Sequence, residues 1–283
     1  MNNYLNAFIR SVIESITEFL PVSSTGHLFL FSAYFPFQGL GEYSNSFEDL
    51  FDIYIQSGAI FSVLVLYFRH LFQESKTAGM FILGKTEDKQ GILFVVSIMV
   101  GCLPIMAIGF LFKDILDSIK SNSNLLLILS LSWIVGGILI LLVERKLTAK
   151  EEVHSNHNVS VKQAFFIGIF QCIALIPGIS RSAATIIAGR SLGLSKKLSA
   201  EFSFFLAIPV LLAAGFYKLY KHRSLLQGEF LPILIFGSLL SFLFCFAVIR
   251  WFLIYIKKHN FQVFGYYRIA LGMTVMAAYF FKS

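Results

Sequence analysis

The sequence predicts an all-α polytopic membrane protein with an inverted-topology repeat, each half a re-entrant helical hairpin followed by three transmembrane helices. Three observations predict this fold class. The 283-residue chain is 57% hydrophobic and 14% charged, with a mean hydropathy of +0.75, whereas a soluble domain carries about 25% charge. Six apolar stretches reach the roughly 20 residues that a bilayer-crossing helix needs. Two further stretches are as long but broken in the middle, at "LPVSSTGH" and at "IPGISRS".

The first broken stretch is 5–34. Pro21 removes a backbone donor and stops the helix. Serines, a threonine and a glycine then supply a turn and an N-cap for a second helical piece. The stretch therefore reads as helix, break, helix, a hairpin that enters and returns. Spans over 48–70, 91–112 and 124–144 follow. The longest polar stretch, "ERKLTAKEEVHSNHNVSVK", divides the chain into halves 1–150 and 151–283. The second half repeats the order, with a hairpin over 161–194 broken at Pro177, then spans over 200–220, 230–255 and 262–281. Pro21 aligns with Pro177, Ser24 stands opposite Ser180, and Asp52 occupies nearly the place of Glu201. A hairpin adds no crossing and three spans add an odd number, so the second half inserts upside down.

Charge sets the orientation. Loop and span-end Lys and Arg number 14 on the side opposite the N-terminus and 6 on the side that bears it; Arg10, Arg181 and Arg268 are left out because they fall within the hairpins or a span. The richer side is cytoplasmic by the positive-inside rule. Both termini and the mouth of the first hairpin then face outward. The net charge of +7 fits such loops, and no basic run with interleaved aromatics points to nucleic acid. Cys102, Cys172 and Cys245 lie singly in apolar stretches, which speaks against a disulfide framework or a zinc site. The N-terminal "MNNYLNAFIRSVIESITEFLP" has no basic start and no small-residue cleavage site, so the first segment is expected in the mature protein.

Non-helical backbone at membrane depth is tolerated only where it is buried in protein or lines a wet cavity. Two hairpins of opposite orientation can meet tip to tip there. Glu14 and Glu18 are four apart on one helix face, where like charges repel; a cation or a proton would explain the pair, and Mg2+ or Ca2+ takes carboxylate oxygens. Arg10, one turn earlier, could neutralise Glu14 instead. Ser23, Ser24 and Thr25 open the second helical piece, and capping alone explains one of them. A helix N-terminus suits an anion, and Ser24 and His27, three apart, suit a nucleophile and its base. An isolated His is more often a satisfied core residue; the company of Glu14, Glu18 and Ser24 favours function here. In "PGISRSAAT", Arg181 sits between Ser180 and Ser182 with Thr185 following. An intramembrane Arg is costly and marks function, and its planar fork suits phosphate. Arg268 fits snorkelling or a structural ion pair better. Together these are parts for binding a phosphate and moving a phosphoryl group.

"ESITEFLPVSSTGH" and "PGISRSAATI" resemble the two signature motifs of the undecaprenyl-diphosphate phosphatase family, also called the bacitracin-resistance protein family, and "FDIYIQSGAI" and "EFSFFLAIP" resemble its flanking spans. The resemblance implies a membrane phosphatase that converts undecaprenyl diphosphate to the monophosphate carrier lipid of peptidoglycan synthesis and confers bacitracin resistance. It implies a bacterial inner-membrane location, and the Lys and Arg count has the site opening outward. By position it makes Glu14, Glu18, Ser24 and His27 catalytic. Arg181, Ser180, Ser182, Thr185, Ser23 and Thr25 are expected to bind the substrate phosphates. It also implies a divalent cation, Mg2+ or Ca2+, with Glu14 and Glu18 as its ligands. Ser24 with His27 as base, His27 itself, or an activated water would attack phosphorus. The expected partners are undecaprenyl diphosphate and membrane lipid, no nucleic acid, and a homodimer is left open. The rival reading is a secondary transporter or polyprenyl-phosphate flippase using the same midplane anion site.

Overall fold

The computed structural model describes residues 2–39, 44–120, 122–148, 158–221, 226 and 230–282. The polar divide between the halves therefore lies partly outside the described residues. Asn2 accepts a hydrogen bond from the Tyr4 N–H and starts α1 (Asn3–Thr17). This helix is polar on its inner face and apolar outside. Asn6, Arg10, Ser11, Glu14 and Ser15 are buried, whereas Tyr4, Leu5, Phe8 and Ile16 are exposed. Such an arrangement suits a helix whose outside is lipid and whose inside carries the polar work.

The chain breaks at 18–23 and resumes as α2 (Ser24–Tyr34). α2 runs back beside α1: Asn6 Nδ2 donates to the Phe35 carbonyl at 2.9 Å, and Asn3 Nδ2 to that of Gln38 at 2.9 Å. α3 (Ser44–Leu66), α4 (Phe68–Ile82), α5 (Gln90–Leu111), α6 (Lys113–Lys120) and α7 (Leu125–Thr148) complete the first half. The second opens with α8 (Val161–Gln171), begun by a capping box between Ser160 and Gln163. A single 3-10 turn (Cys172–Leu175) follows, then α9 (Arg181–Ser191). α9 also runs back, and Gln163 Nε2 donates to the Leu192 carbonyl at 3.2 Å. α10 (Lys196–Lys221), α11 (Phe230–Lys258) and α12 (Gln262–Lys282) end the chain.

Six helices among the described residues, α3, α5, α7, α10, α11 and α12, are long and apolar enough to cross a membrane, at the places the sequence predicts. The chain is an all-helical, multi-pass membrane protein. Two short helices were not expected. The span predicted to run to residue 70 stops at Leu66, and α4 starts after Tyr67. Gly91 lets α4 lie on the start of α5, since a Cβ there would strike the backbone at Glu74 and Ala78.

Contacts sort the helix ends into two groups. At one end Arg10 meets Glu48, Lys218 meets Asp49, and Lys113 meets Tyr217. At the other, Tyr67 meets Glu201, Arg190 meets Glu144, and Lys196 reaches the His259 carbonyl. The α1–α2 pair opens at the first end and α8–α9 at the second. Their breaks meet between: Ser182 Oγ donates to the Leu20 carbonyl at 2.8 Å. Phe19, Leu20 and Val22 of the first break are buried with Ile186 of α9 and Phe204 and Ala207 of α10.

Candidate active site

Two serines hold the breaks. Ser23 has φ +76° and Ser180 φ +74°; among the described residues they are the only non-glycine residues at positive φ. Each accepts a hydrogen bond from the N–H three residues on, Gly26 for Ser23 and Ala183 for Ser180, and so caps the helix that follows. A non-glycine residue keeps such a conformation only where its surroundings hold it. The shared geometry moves the expected alignment by one residue. Ser23, not Ser24, stands opposite Ser180, because the second break carries one residue more after its proline. Ser24 then corresponds to Arg181, the first residue of each helix.

That pair meets at Glu18. Ser24 Oγ donates to Glu18 Oε2 at 2.5 Å, and Arg181 Nη2 donates to Glu18 Oε1 at 3.0 Å. Arg181 Nη1 donates to the Ser203 carbonyl at 2.7 Å. An arginine carries five N–H donors, so three are left without a bond here, and one of these, on Nε, is buried. Glu18, Ser23, Ser24, Thr25, Ser180 and Arg181 line one cavity of about 270 Å³, together with Gln56 and apolar residues of the second break. The N-termini of α2 and α9 both belong to this group, and N-terminal N–H groups suit an anion.

The remaining predicted residues lie elsewhere. Ser182 and Thr185 are buried behind the cavity: Ser182 binds Leu20, and Thr185 donates to Ser203 Oγ at 2.8 Å. His27 lies on the other side of the first turn of α2. Its Nδ1 is 2.7 Å from the Ser23 carbonyl, which fixes that nitrogen as the donor, so Nε2 accepts from the Tyr267 hydroxyl at 2.7 Å. The His27 ring stacks on Tyr267 and lines an apolar groove with Phe31, Leu126 and Val275. Ser24 therefore pairs with Glu18 and not, as its spacing predicts, with His27.

Glu14 is fully buried, and neither carboxylate oxygen has a hydrogen-bond partner. The neutralisation by Arg10 is not realised. Arg10 instead bonds Glu48 at 2.9 Å and Asn6 at 2.8 Å, lies 3.6 Å from Asp52, and sits over the Phe37 ring. A carboxylate taken bare out of water costs several kcal/mol, so Glu14 calls for a proton or a cation. No group of three His, Cys, Asp or Glu among the described residues makes a closed metal site. Mg2+, however, is held by one or two carboxylates plus substrate phosphates, and the unpartnered Glu14 fits that role. Glu18 is already engaged by Ser24 and Arg181.

Arg268 is the residue that sequence reasoning missed. It neither snorkels nor pairs with a carboxylate among the described residues. It is fully buried, and its guanidinium bonds five backbone carbonyls: Pro21, Ile179, Gly178, Ser132 and Trp133. An arginine inside a span was the available signal; its acceptors, far away in sequence, were not.

Fold and site define a class, the multi-pass membrane proteins with a buried Ser–Glu–Arg cluster where two helix breaks meet. The model of the bacitracin resistance protein BacA family matches residues 7–274, and the chain belongs to that family. A Leptospira interrogans (serovar copenhageni, strain Fiocruz L1-130) protein is 56% identical over 276 residues, covering 98% of each chain. A Leptospira biflexa (strain Patoc 1 / Ames) protein is 54% identical over the same shares, and one from Acidovorax ebreus is 38% identical over 96% of this chain and 93% of its own. All three are named undecaprenyl-diphosphatase.

Proposed function

We propose that this chain is an undecaprenyl-diphosphate phosphatase of the bacterial inner membrane. It releases inorganic phosphate, returns the monophosphate carrier lipid to cell-wall synthesis and thereby confers bacitracin resistance. The observation that carries the reading is Ser24 Oγ hydrogen-bonded to Glu18, which also holds Arg181. This constellation belongs to a chain whose relatives bear the phosphatase name.

In the mechanism this geometry favours, Arg181 and the N-termini of α2 and α9 bind the diphosphate. Ser24 Oγ attacks the terminal phosphorus, its proton passes to Glu18, and the bond to the bridging oxygen breaks as undecaprenyl phosphate leaves. Glu18 gives that proton to the departing undecaprenyl phosphate; water then attacks the phosphoserine, Glu18 taking its proton and returning it to the Ser24 oxygen as the P–O bond breaks, which frees Ser24 and releases inorganic phosphate. Ser180, Ser23 and Thr25 line the same cavity and bind the phosphate oxygens. Glu14, whose oxygens are unpartnered, would hold Mg2+ or Ca2+, which would supply positive charge against the diphosphate, while Glu18 serves Ser24 and Arg181. His27 acts beside the apolar groove, outside the phosphate cavity.

The halves, 1–150 and 151–283, act as inverted repeats with re-entrant hairpins. Support comes from the matching serine caps, the opposite openings of α1–α2 and α8–α9, and the three long helices after each. The end bearing the mouth of α1–α2 faces outward, supported by the Lys and Arg count. Phosphate release from undecaprenyl diphosphate by purified, detergent-solubilised protein, with and without EDTA, tests the activity. Release that EDTA suppresses is expected. Intact protein that releases none would leave transport, which needs two compartments, as the better reading.

A further inference from the structure

The five N–H donors of Arg268 match five carbonyls one to one. Nη1 donates to Pro21 at 3.2 Å and to Ile179 at 2.9 Å. Nη2 donates to Ser132 at 3.0 Å and to Gly178 at 3.1 Å, and Nε to Trp133 at 3.4 Å. The acceptors belong to three separate pieces: the first break, the second break and α7. Pro21 lies two residues before Ser23, and Ile179 one residue before Ser180. These are the two serines at positive φ, which need outside restraint. Each caps the helix that presents a site residue, Ser24 or Arg181. A planar guanidinium fixes its acceptors in one plane and at set angles, so moving it changes both breaks together.

We propose that Arg268 is a positioning residue. Its guanidinium sets the register of the two breaks against each other, and so places Ser24 and Glu18 against Arg181. The effect on turnover rests on the phosphatase reading; the effect on the breaks does not.

Two variants reach the guanidinium by different routes. Arg268→Lys keeps the charge but has three donors on one nitrogen, too few for five carbonyls in three places. Gly136→Ala leaves Arg268 in the chain and touches no residue of the cavity; a Cβ at Gly136 falls inside contact distance of the guanidinium and pushes it aside. Arg190→Gln is the control. It breaks the buried 3.2 Å pair with Glu144 at the far end of α9 and leaves the breaks alone.

Two measurements follow, both below the melting temperature of every variant. The first is kcat and KM for phosphate release from undecaprenyl diphosphate. An ångström-scale misplacement costs about 10²-fold, so Arg268→Lys and Gly136→Ala are expected to lower kcat by that order with KM little changed, while Arg190→Gln keeps its kcat. The second is the distance between spin labels at Ile16 and Ile173, exposed positions beside the two breaks, with the three cysteines replaced by alanine. Its distribution is expected to broaden in both variants and not in the control. If Arg268→Lys does not fold, Gly136→Ala alone decides. A wild-type distance distribution in folded Gly136→Ala overturns the proposal, as does an equal kcat loss in Arg190→Gln. A wild-type protein that releases no phosphate overturns the phosphatase reading, and the distance measurement still judges Arg268.

Discussion

The two hairpins share one backbone device and carry opposite chemistry. In each, a proline stops the first helix, a serine at positive φ turns the chain, and its hydroxyl caps the second helix. At the next position the first hairpin has Ser24 and the second Arg181. The first also brings Glu14 and Glu18; the second brings Ser182, which holds the first break at Leu20, and Thr185, which ties α9 to Ser203 of α10. The breaks solve the same problem of backbone polar groups in an apolar setting, and the side chain after the cap decides the task. In the proposed mechanism one hairpin supplies the hydroxyl and the base, the other the anion clamp. Neither is a site by itself.

The largest effects should come from cutting this division at its centre. Ser24→Ala and Glu18→Gln should each lower phosphate release on the order of 10³-fold, as expected for losing a nucleophile or its base. Arg181→Lys should lose about 10²-fold, because it keeps the charge but not the fork. Folded, monodisperse Arg181→Lys protein with near-normal turnover would show that the second hairpin is scaffold only, and the comparison would fail.

Glu14 comes next. It is the one carboxylate of the first hairpin without a partner. If it holds the cation, Glu14→Gln should raise the metal concentration needed for half-maximal rate by about tenfold or more, without unfolding the protein. A metal titration that superimposes on wild type would assign Glu14 to proton transfer instead.

His27 should matter less than Ser24. Its two nitrogens are engaged by Ser23 and Tyr267, so His27→Gln should cost no more than about tenfold, well below a lost general base, and Tyr267→Phe should behave alike. Loss in His27→Gln equal to that of Ser24→Ala would return His27 to the centre of the reaction.

These expectations show which parts of the molecule were legible in the sequence. The six spans were, because length and apolarity are properties of a segment alone. The two breaks were, because proline and serine act locally. The site residues of the breaks were named, but their pairing was not. Spacing put His27 beside Ser24, whereas Ser24 turns to Glu18 and the His27 ring to the Ser23 carbonyl and Tyr267. α4 was missed because the chain bends at Tyr67 with no proline or glycine to announce it. Arg10 and Arg268 were visible as charges within a hairpin and a span, but their partners at Glu48 and at carbonyls of 21, 178 and 179 come from distant segments. Local signals place a residue; only tertiary structure chooses what it touches.

The smallest effect sharpens the comparison most, because it asks whether the two breaks are the same device. Glycine at Ser23 or Ser180 would relieve positive-φ strain of about 1–3 kcal/mol. Against that stand a weaker cap, a few tenths of a kcal/mol for glycine, and about 0.5–1 kcal/mol of added chain entropy in the unfolded state. Both replacements should therefore be neutral to mildly stabilising. They should not be equal. Ser180 Oγ also bonds Ser182 Oγ at 3.0 Å, and Ser23 has no such second partner among the described hydrogen bonds. One hydrogen bond contributes about 1 kcal/mol net, so Ser23→Gly should be the more stable of the two by that amount. Thermal melting of both variants in one detergent measures the difference. The reverse order, or a gap well beyond ~2 kcal/mol, would mean that the two serines reach the same φ for different reasons, and that the hairpins resemble each other in shape only.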